Sequence, residues 1–269
     1  MAEMDKLKRL RQILLDLGSV AIAFSGGVDS SFLLKMARDV LEKDNVLAVT
    51  AVSDTYTSSE LSQAKRFTRS LDVKHKIIFT DELNDASFAK NPTDRCYYCK
   101  KELFKKLSCL AKRNGLEFVV DASNVDDKKD YRPGSRAKLE FGVRSPIQEA
   151  GITKSDIRKF SKSLDLKTWD LPSMACLASR IPYGQEIRKE TLRKIETAEA
   201  FIKKCGIKQV RVRYHNDIAR IEVEKKDIKK FVNHKLCDRI IKRLKSLGFH
   251  YIVLDLEGYR TGSLNERLQ

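Results

Sequence analysis

The sequence predicts an α/β fold, a parallel sheet with helices on both faces, followed by a smaller α+β domain at the C-terminal end. Three observations carry this. Short apolar, β-prone runs alternate with amphipathic helical runs over the first two thirds of the chain, the pattern of a covered parallel sheet. A loop with two adjacent glycines joins the first such strand to the first such helix. Beyond residue 184 the order changes to helix, hairpin, helix and strand, which divides the chain into 1–182 and 183–269. At 269 residues the chain is long enough for one large or two modest cores.

The N-terminal run MAEMDKLKRLRQILLDLG has Met4, Leu7, Leu10, Ile13, Leu14 and Leu17 at helical spacing, with acids among its bases. It reads as a surface helix, because a signal peptide needs an uninterrupted apolar stretch. Residues 20–24 are a strand of buried type, and the helix after the loop carries Phe32, Leu33, Met36, Ala37, Val40 and Leu41 on one side. VLAVTAV (46–52) is the second strand, followed by a Ser/Thr-rich turn (53–59) and a helix over 60–71. HKIIFT (75–80) and EFVVDAS (117–123) are the third and fourth strands, with a helix over about 100–113 between them. Residues 124–144 are polar, charged and broken by Pro133-Gly134, so a long loop is expected. Thr153 or Ser155 caps a helix reaching 164, and 170–184 is irregular, with a domain boundary at 182–184. The remainder reads as a helix over 187–205, a hairpin turning at Asn216-Asp217, a helix over 226–247 and a strand over 250–256.

The loop SGGVDS (25–30) between strand and helix is an arrangement for gripping an anion. Gly26 and Gly27 let the backbone approach closely, and the free N–H groups and dipole of the helix point at the bound charge. Ser25 and Ser30 add hydroxyls, and Asp29 is placed to hold the magnesium that accompanies a triphosphate. No lysine follows the glycines, which separates the loop from the GxxxxGK[ST] type. The simpler alternative is a tight turn with a side-chain cap. In a parallel sheet ligands gather beyond the C-terminal strand ends, so Ala23, Phe24 and Ser53 join Ser25, Gly26, Gly27, Asp29 and Ser30 as candidate nucleotide contacts.

Two further groups of residues carry chemistry. Cys96 and Cys99 have CxxC spacing just before a helix, and Cys176 lies in the second irregular segment. If both segments lie at the strand-end edge, three thiolates meet there. Zinc would want a fourth ligand, a redox pair would leave Cys176 unused, and three cysteines on a 4Fe–4S cluster would leave one iron open. Small buried residues without metal are the remaining alternative. On the hairpin, Arg211 and Arg213 share one strand face with Arg220 and Glu222, while Val210, Val212, Ile221 and Val223 share the other. Two arginines at i and i+2 converge on a phosphate; an exposed face laced with Arg–Glu pairs fits the spacing as well.

Hydrophobic residues are 42% and charged residues 33%, and no run of about 18 uncharged apolar residues can span a bilayer. The net charge is +16, and residues 181–250 hold 19 Lys and Arg against 9 Asp and Glu. Such a balance calls for an anionic partner without identifying it. Six cysteines in a chain without an export signal are not a disulfide framework, and the cytoplasm is the expected compartment.

SGGVDS resembles the PP-loop of ATP pyrophosphatases, which split ATP between the α and β phosphates to adenylate a substrate. Together with DYRPGSRAK, MACLASRIPYG, VRVRYHNDIARIE and LDLEGYRTGSLNE, it is similar to the LarE family. These are PP-loop sulfur transferases that make the pincer cofactor of nickel-dependent lactate racemase. The resemblance implies an adenine nucleotide α-hydrolase-like fold, ATP with Mg2+, and a pyridinium-3,5-biscarboxylic acid mononucleotide whose carboxylates become thiocarboxylates. It implies that Ser179, Arg180, Arg211 and Arg213 contact the substrate's phosphate. Glu199, Glu222 and Asp127 match acidic positions near the active site, Asp127 standing where the family has Glu. Members with only the cysteine matching Cys176 sacrifice its sulfur. This chain has Cys96, Cys99 and Cys176 and resembles the members that bind a 4Fe–4S cluster and transfer an added sulfide. A homo-oligomer, an external sulfide donor, no stable nucleic acid and no membrane partner follow from the same resemblance. The rivals are a tRNA thiolase with a three-cysteine cluster, a PP-loop amidotransferase, and a non-enzymatic regulator.

Overall fold

The apolar run VAIA has a hydrogen-bonding neighbour on each side, and its residues alternate between two covered faces, so helices must pack on both. The computed structural model describes residues 3–129, 132–172, 174–260 and 262–268. Asp130 and Tyr131 of the DYRPGSRAK run, Ser173 and Thr261 lie outside the described residues. In chain order the elements begin with α1 (Glu3–Leu17), β1 (Val20–Ala23), α2 (Val28–Val40), β2 (Val46–Val52), α3 (Ser58–Ser70), β3 (Lys74–Phe79) and α4 (Ala86–Ala89). Next come α5 (Arg95–Arg113), β4 (Phe118–Val120), α6 (Gly134–Glu140), α7 (Pro146–Glu149), α8 (Lys154–Ser163) and α9 (Lys189–Lys204). The chain finishes with β5 (Val210–His215), β6 (Ile218–Val223), α10 (Lys225–Ile228), α11 (His234–Ser246) and β7 (Tyr251–Leu254). None of the helices among the described residues is long and apolar enough to cross a membrane.

Two compact units result, one of Met1–Glu82 with Asp94–Met174, the other of Leu83–Thr93 with Ala175–Gln269. The first is a parallel sheet in the order β3-β2-β1-β4, with Val20 opposite Val46 on one side and Phe118 on the other. Val20, Ile22 and Phe24 face Leu10 and Leu14 of α1 and Phe32, Leu33 and Met36 of α2. Ala21, Leu47 and Val49 face Leu107 and Ala111 of α5. Burying each of the larger side chains contributes about 1.5–3 kcal/mol, so period-two apolar alternation fixes which helix lies on which face. Thr153 caps α8 through a capping box with Asp156.

Two expectations are corrected here. Residues 124–144 are not one long loop: a 3-10 turn (Val125–Lys129) and α6 form, because Ala137 buries against Tyr97 and Phe104. The helix over 226–247 is broken, since Asn233 takes an extended conformation and its side chain accepts from Leu236 N–H (3.1 Å), capping α11 afresh.

In the second unit β5 and β6 form the antiparallel hairpin and β7 adds parallel to β6. Asn216 makes the turn in the left-handed region (φ 58°), which asparagine tolerates. Val210, Val212, Ile221 and Val223 pack against Ala198 and Ile202 of α9 and Ile240 and Leu244 of α11. The 83–93 segment is tied in through Asn91, wholly buried, whose amide donates to the carbonyls of Pro182 (2.7 Å), Gln185 (3.0 Å) and Ile181 (3.3 Å). Asn91 is itself left-handed (φ 56°), so Asn91→Gly removes these bonds without adding backbone strain. It is expected to lower stability by roughly 1–3 kcal/mol in a urea titration; an unchanged midpoint would mean these bonds hold nothing.

Candidate functional site

Phe24 N–H donates to Val49 O (2.9 Å), one bond beyond Ala23, and the chain then leaves the sheet as the 25–30 loop. Gly26 is left-handed (φ 76°), and a Cβ there would stand 3.2 Å from Cα and Cβ of Ala64 on α3. The loop is held by Gln63 Nε2 donating to Gly26 O (2.7 Å) and Tyr56 Oη to Ser25 O (2.7 Å). Gly27 enters α2 with no side-chain cap, so the alternative of a merely capped turn does not apply and the first-turn N–H groups face the loop. The Ser25 and Ser30 hydroxyls lie 3.2 Å apart. Asp29 Oδ2 pairs with Lys154 Nζ (2.5 Å), whereas its buried Oδ1 accepts no hydrogen bond among the described residues. An uncapped helix start beside two hydroxyls and one unused carboxylate oxygen suits a polyphosphate with its divalent cation.

Beyond β2, Ser53 Oγ donates to Glu82 Oε1 (2.7 Å) and Thr55 Oγ1 to the same oxygen (3.0 Å). Glu82 is buried, and its Oε2 has no partner among the described residues. Cys99 Sγ lies 4.0 Å from Glu82 Oε1. Cys96 and Cys99 lie inside α5, near its start, rather than preceding a helix. The buried stripe Tyr97, Phe104, Leu107 and Ala111 extends the helix that far. At i and i+3 the two cysteines therefore share one side of α5. Asp127 Oδ2 accepts from Asn124 N–H (2.9 Å) and its Oδ1 pairs with Arg132 (2.7 Å). Burial pushes the Asp127 carboxyl upward, aided by the charges of Asp29 and Asp121, against that N–H bond and the Arg132 charge.

In the second unit the arginine face of the hairpin is buried, not the exposed ladder that the spacing also allowed. Arg211, Arg213 and Glu222 are 5%, 6% and 1% exposed. Glu222 takes Arg213 at both oxygens (Nε 2.9 Å, Nη2 2.7 Å), and Arg213 Nη1 donates to Ser179 O (2.8 Å). Arg180 is bound the same way by Glu199 of α9 (Nε 2.8 Å, Nη2 2.9 Å). Its Nη1 reaches the carbonyls of Ala175 (2.5 Å) and Cys176 (2.9 Å) and Ser179 Oγ (3.1 Å). Cys176 is an exposed thiol just ahead of a 3-10 turn (Leu177–Arg180). Arg211 lies under Tyr259, its guanidinium 5.4 Å from the ring centroid.

Ser179, Arg180, Arg211 and Arg213 thus form one group, and Glu199 and Glu222 are the carboxylates that orient two of its arginines. Arg211 Nη1 donates to Val210 O (3.0 Å), while Arg220 is shared between Glu222 (3.1 Å) and Asp255 (3.3 Å). Burial, then the neighbouring Arg180 charge, pushes Arg211 below its usual range. Buried guanidinium groups clustered together are stabilised by an anion, and planar donors at this spacing match phosphate. Asp127, Cys96 and Cys99 belong to the first unit and Cys176 to the second. Among the described residues neither unit by itself assembles three His, Cys, Asp or Glu side chains into a metal site. Glu82 and Lys154 escaped the sequence reading, because a single acid after a strand and a single lysine in a capped helix carry no motif.

Residues 8–105 match the family model described as NAD synthase. The pyridinium-3,5-bisthiocarboxylic acid mononucleotide synthase of Lactiplantibacillus plantarum is 40% identical over 95% of this chain and 92% of that one. An uncharacterized protein of Synechocystis sp. is 41% identical over 98% of both chains. The NH(3)-dependent NAD(+) synthetase of Fusobacterium nucleatum is 23% identical over 56% of this chain and 54% of its own.

Burial opposes ionisation of Glu199, yet the Arg180 charge and hydrogen bonds, with Arg211 and the Val212 N–H behind them, hold its carboxyl below the ordinary 4.5. A depressed carboxyl contributes stability that is present above the unfolded value and lost as pH falls through the folded one. Chemical denaturation is therefore expected to show stability declining below about pH 5. Glu199→Gln should lose part of that decline and be less stable at pH 7 by roughly 3–5 kcal/mol, the cost of leaving Arg180 buried without its partner. Parallel pH profiles for the two proteins would contradict the assignment.

Proposed function

We propose a function from one premise: the chain belongs to the LarE family of PP-loop sulfur transferases. It is an enzyme that uses ATP to transfer sulfur, and its substrate is pyridinium-3,5-biscarboxylic acid mononucleotide, converted to thiocarboxylates. One observation carries this reading: the buried arginine group suited to a phosphate also fixes the backbone of Cys176 through Arg180. The NH(3)-dependent NAD(+) synthetase similarity supports only the nucleotide-binding part.

Ala23, Phe24, the 25–30 loop and Ser53 hold ATP, and Asp29 Oδ1 fits the accompanying Mg2+ as an unused buried carboxylate oxygen. A substrate carboxylate attacks the α-phosphorus; the bond to the bridging oxygen breaks and pyrophosphate leaves. A sulfur nucleophile then attacks the acyl carbon, AMP departs, and a thiocarboxylate remains. A second round treats the other carboxylate. Ser179, Arg180, Arg211 and Arg213 hold the mononucleotide's phosphate, Glu222 orients Arg213, and Glu199 orients Arg180, which also fixes the Cys176 backbone. Asp127 lends negative charge beside Asp29.

Cys96, Cys99 and Cys176 are in no disulfide, and cysteine sulfurs are soft donors of the kind iron–sulfur clusters use. When bound, a 4Fe–4S cluster on these three thiolates supplies an iron with an open position for an exogenous sulfide, so that no protein sulfur is consumed. Family membership also supports a homo-oligomeric, cytoplasmic enzyme fed by a separate sulfide donor.

The test is anaerobic reconstitution with iron and sulfide, then turnover with ATP, Mg2+ and the mononucleotide. The expected result is a brown protein with about four irons per chain, thiocarboxylate in excess of enzyme, and Cys176 intact by mass spectrometry. Cys176→Ala should lose both iron and product. A colourless protein whose Cys176 becomes dehydroalanine would replace the cluster with a sacrificial cysteine. Thiolated tRNA in place of the mononucleotide product, with binding steeply weakened by salt, would replace the substrate.

A further inference from the structure

The C-terminal run EGYRTGSLNE has no role in the chemistry above. After β7 its backbone follows the end of β6: Asp255 N–H donates to Ile221 O (2.9 Å) and Tyr259 N–H to Val223 O (2.8 Å). Gly258 passes here with φ 73°, and a Cβ at this position would stand 2.7 Å from Val223 O, which excludes other residues. The chain is thereby steered toward the buried arginines. Tyr259 covers Arg211, and Ser263 Oγ accepts from Arg213 Nη2 (2.9 Å). The following 3-10 segment (Ser263–Leu268) is anchored by Tyr183 Oη donating to Asn265 Oδ1 (3.0 Å) and by the Arg260–Glu266 pair (3.1 Å).

A hydroxyl that accepts from a guanidinium keeps its own proton for a second partner, and next to a cationic group that partner is an anion. Ser179 Oγ, which accepts from Arg180, is in the same position. The two serines flank the arginine group from opposite ends of the sequence of the second unit.

We infer that the C-terminal run completes the phosphate site, with Ser263 donating its hydroxyl proton to the substrate's phosphate and Tyr259 holding Arg211 against it. This rests on the reading of the arginine group as a phosphate site. Isothermal titration of the full chain with nicotinic acid mononucleotide, a pyridinium carboxylate bearing the same phosphate, separates the two ideas, with ATP as the control ligand. Ser263→Ala should weaken the mononucleotide about tenfold, the loss of one charge-assisted hydrogen bond, and leave ATP unchanged. Ser263→Thr keeps the hydroxyl and should bind within about threefold of wild type. Wild-type affinity in Ser263→Ala would overturn this inference alone and leave the arginine site standing. An equal loss of ATP affinity would assign the effect to folding and overturn it as well. A wild-type chain that binds ATP but neither the mononucleotide nor inorganic phosphate would overturn the phosphate site itself.

Discussion

The second unit depends on one buried ion pair, Arg180 with Glu199. Taking two ions out of water costs several kcal/mol each, and the pair is stable only because its geometry is bidentate and its remaining groups are satisfied. Glu199 Oε1 also accepts from Val212 N–H (3.0 Å), and the far side of Arg180 is taken up by the carbonyls of Ala175 and Cys176. Position follows from packing. Ala198 and Ile202 of α9 lie in the core against Val210 and Val212, and this register turns Glu199 toward the hairpin. Apolar periodicity in α9 therefore sets a carboxylate, the carboxylate sets an arginine, and the arginine sets the loop that carries the exposed thiol. Glu199 is a positioning residue in this scheme, acting on Cys176 through Arg180.

The first unit obeys a different constraint, the close approach of backbone to ligand. Gly26 is required twice over, by its positive φ and by Ala64 behind it. The α2 start remains without a side-chain cap, and Asp29 divides its oxygens between Lys154 and an unused position. Such an arrangement is weakly satisfied by protein alone, which is the condition expected of a site that awaits a charged ligand.

Much of this was legible in the sequence where the signal was local and periodic. The strand alternation, the Gly-Gly loop before an apolar helix, a cap at Thr153 or Ser155 and the two faces of the hairpin follow from spacing alone. Burial of the arginine face did not, because Arg and Glu at alternate strand positions look the same whether the face is wet or covered by the C-terminal run. Tertiary packing also overrode local polarity in 124–144, where Ala137 is buried against Tyr97 and Phe104 of α5. Asn233 broke a long amphipathic pattern because a side-chain cap at that point competes well with helix continuation. Glu82 and Lys154 act through partners far away in sequence, Ser53 and Asp29, and no spacing rule reaches them.

Carboxylate activation by adenylation is the step on which every later assignment rests. The direct test is exchange of radiolabelled pyrophosphate into ATP, measured with and without the biscarboxylic mononucleotide, on wild type and on Cys176→Ala. Exchange that requires the mononucleotide and survives the loss of Cys176 is the expected result, since adenylation precedes sulfur transfer. Exchange without the mononucleotide, or ADP and phosphate as the products, would contradict it.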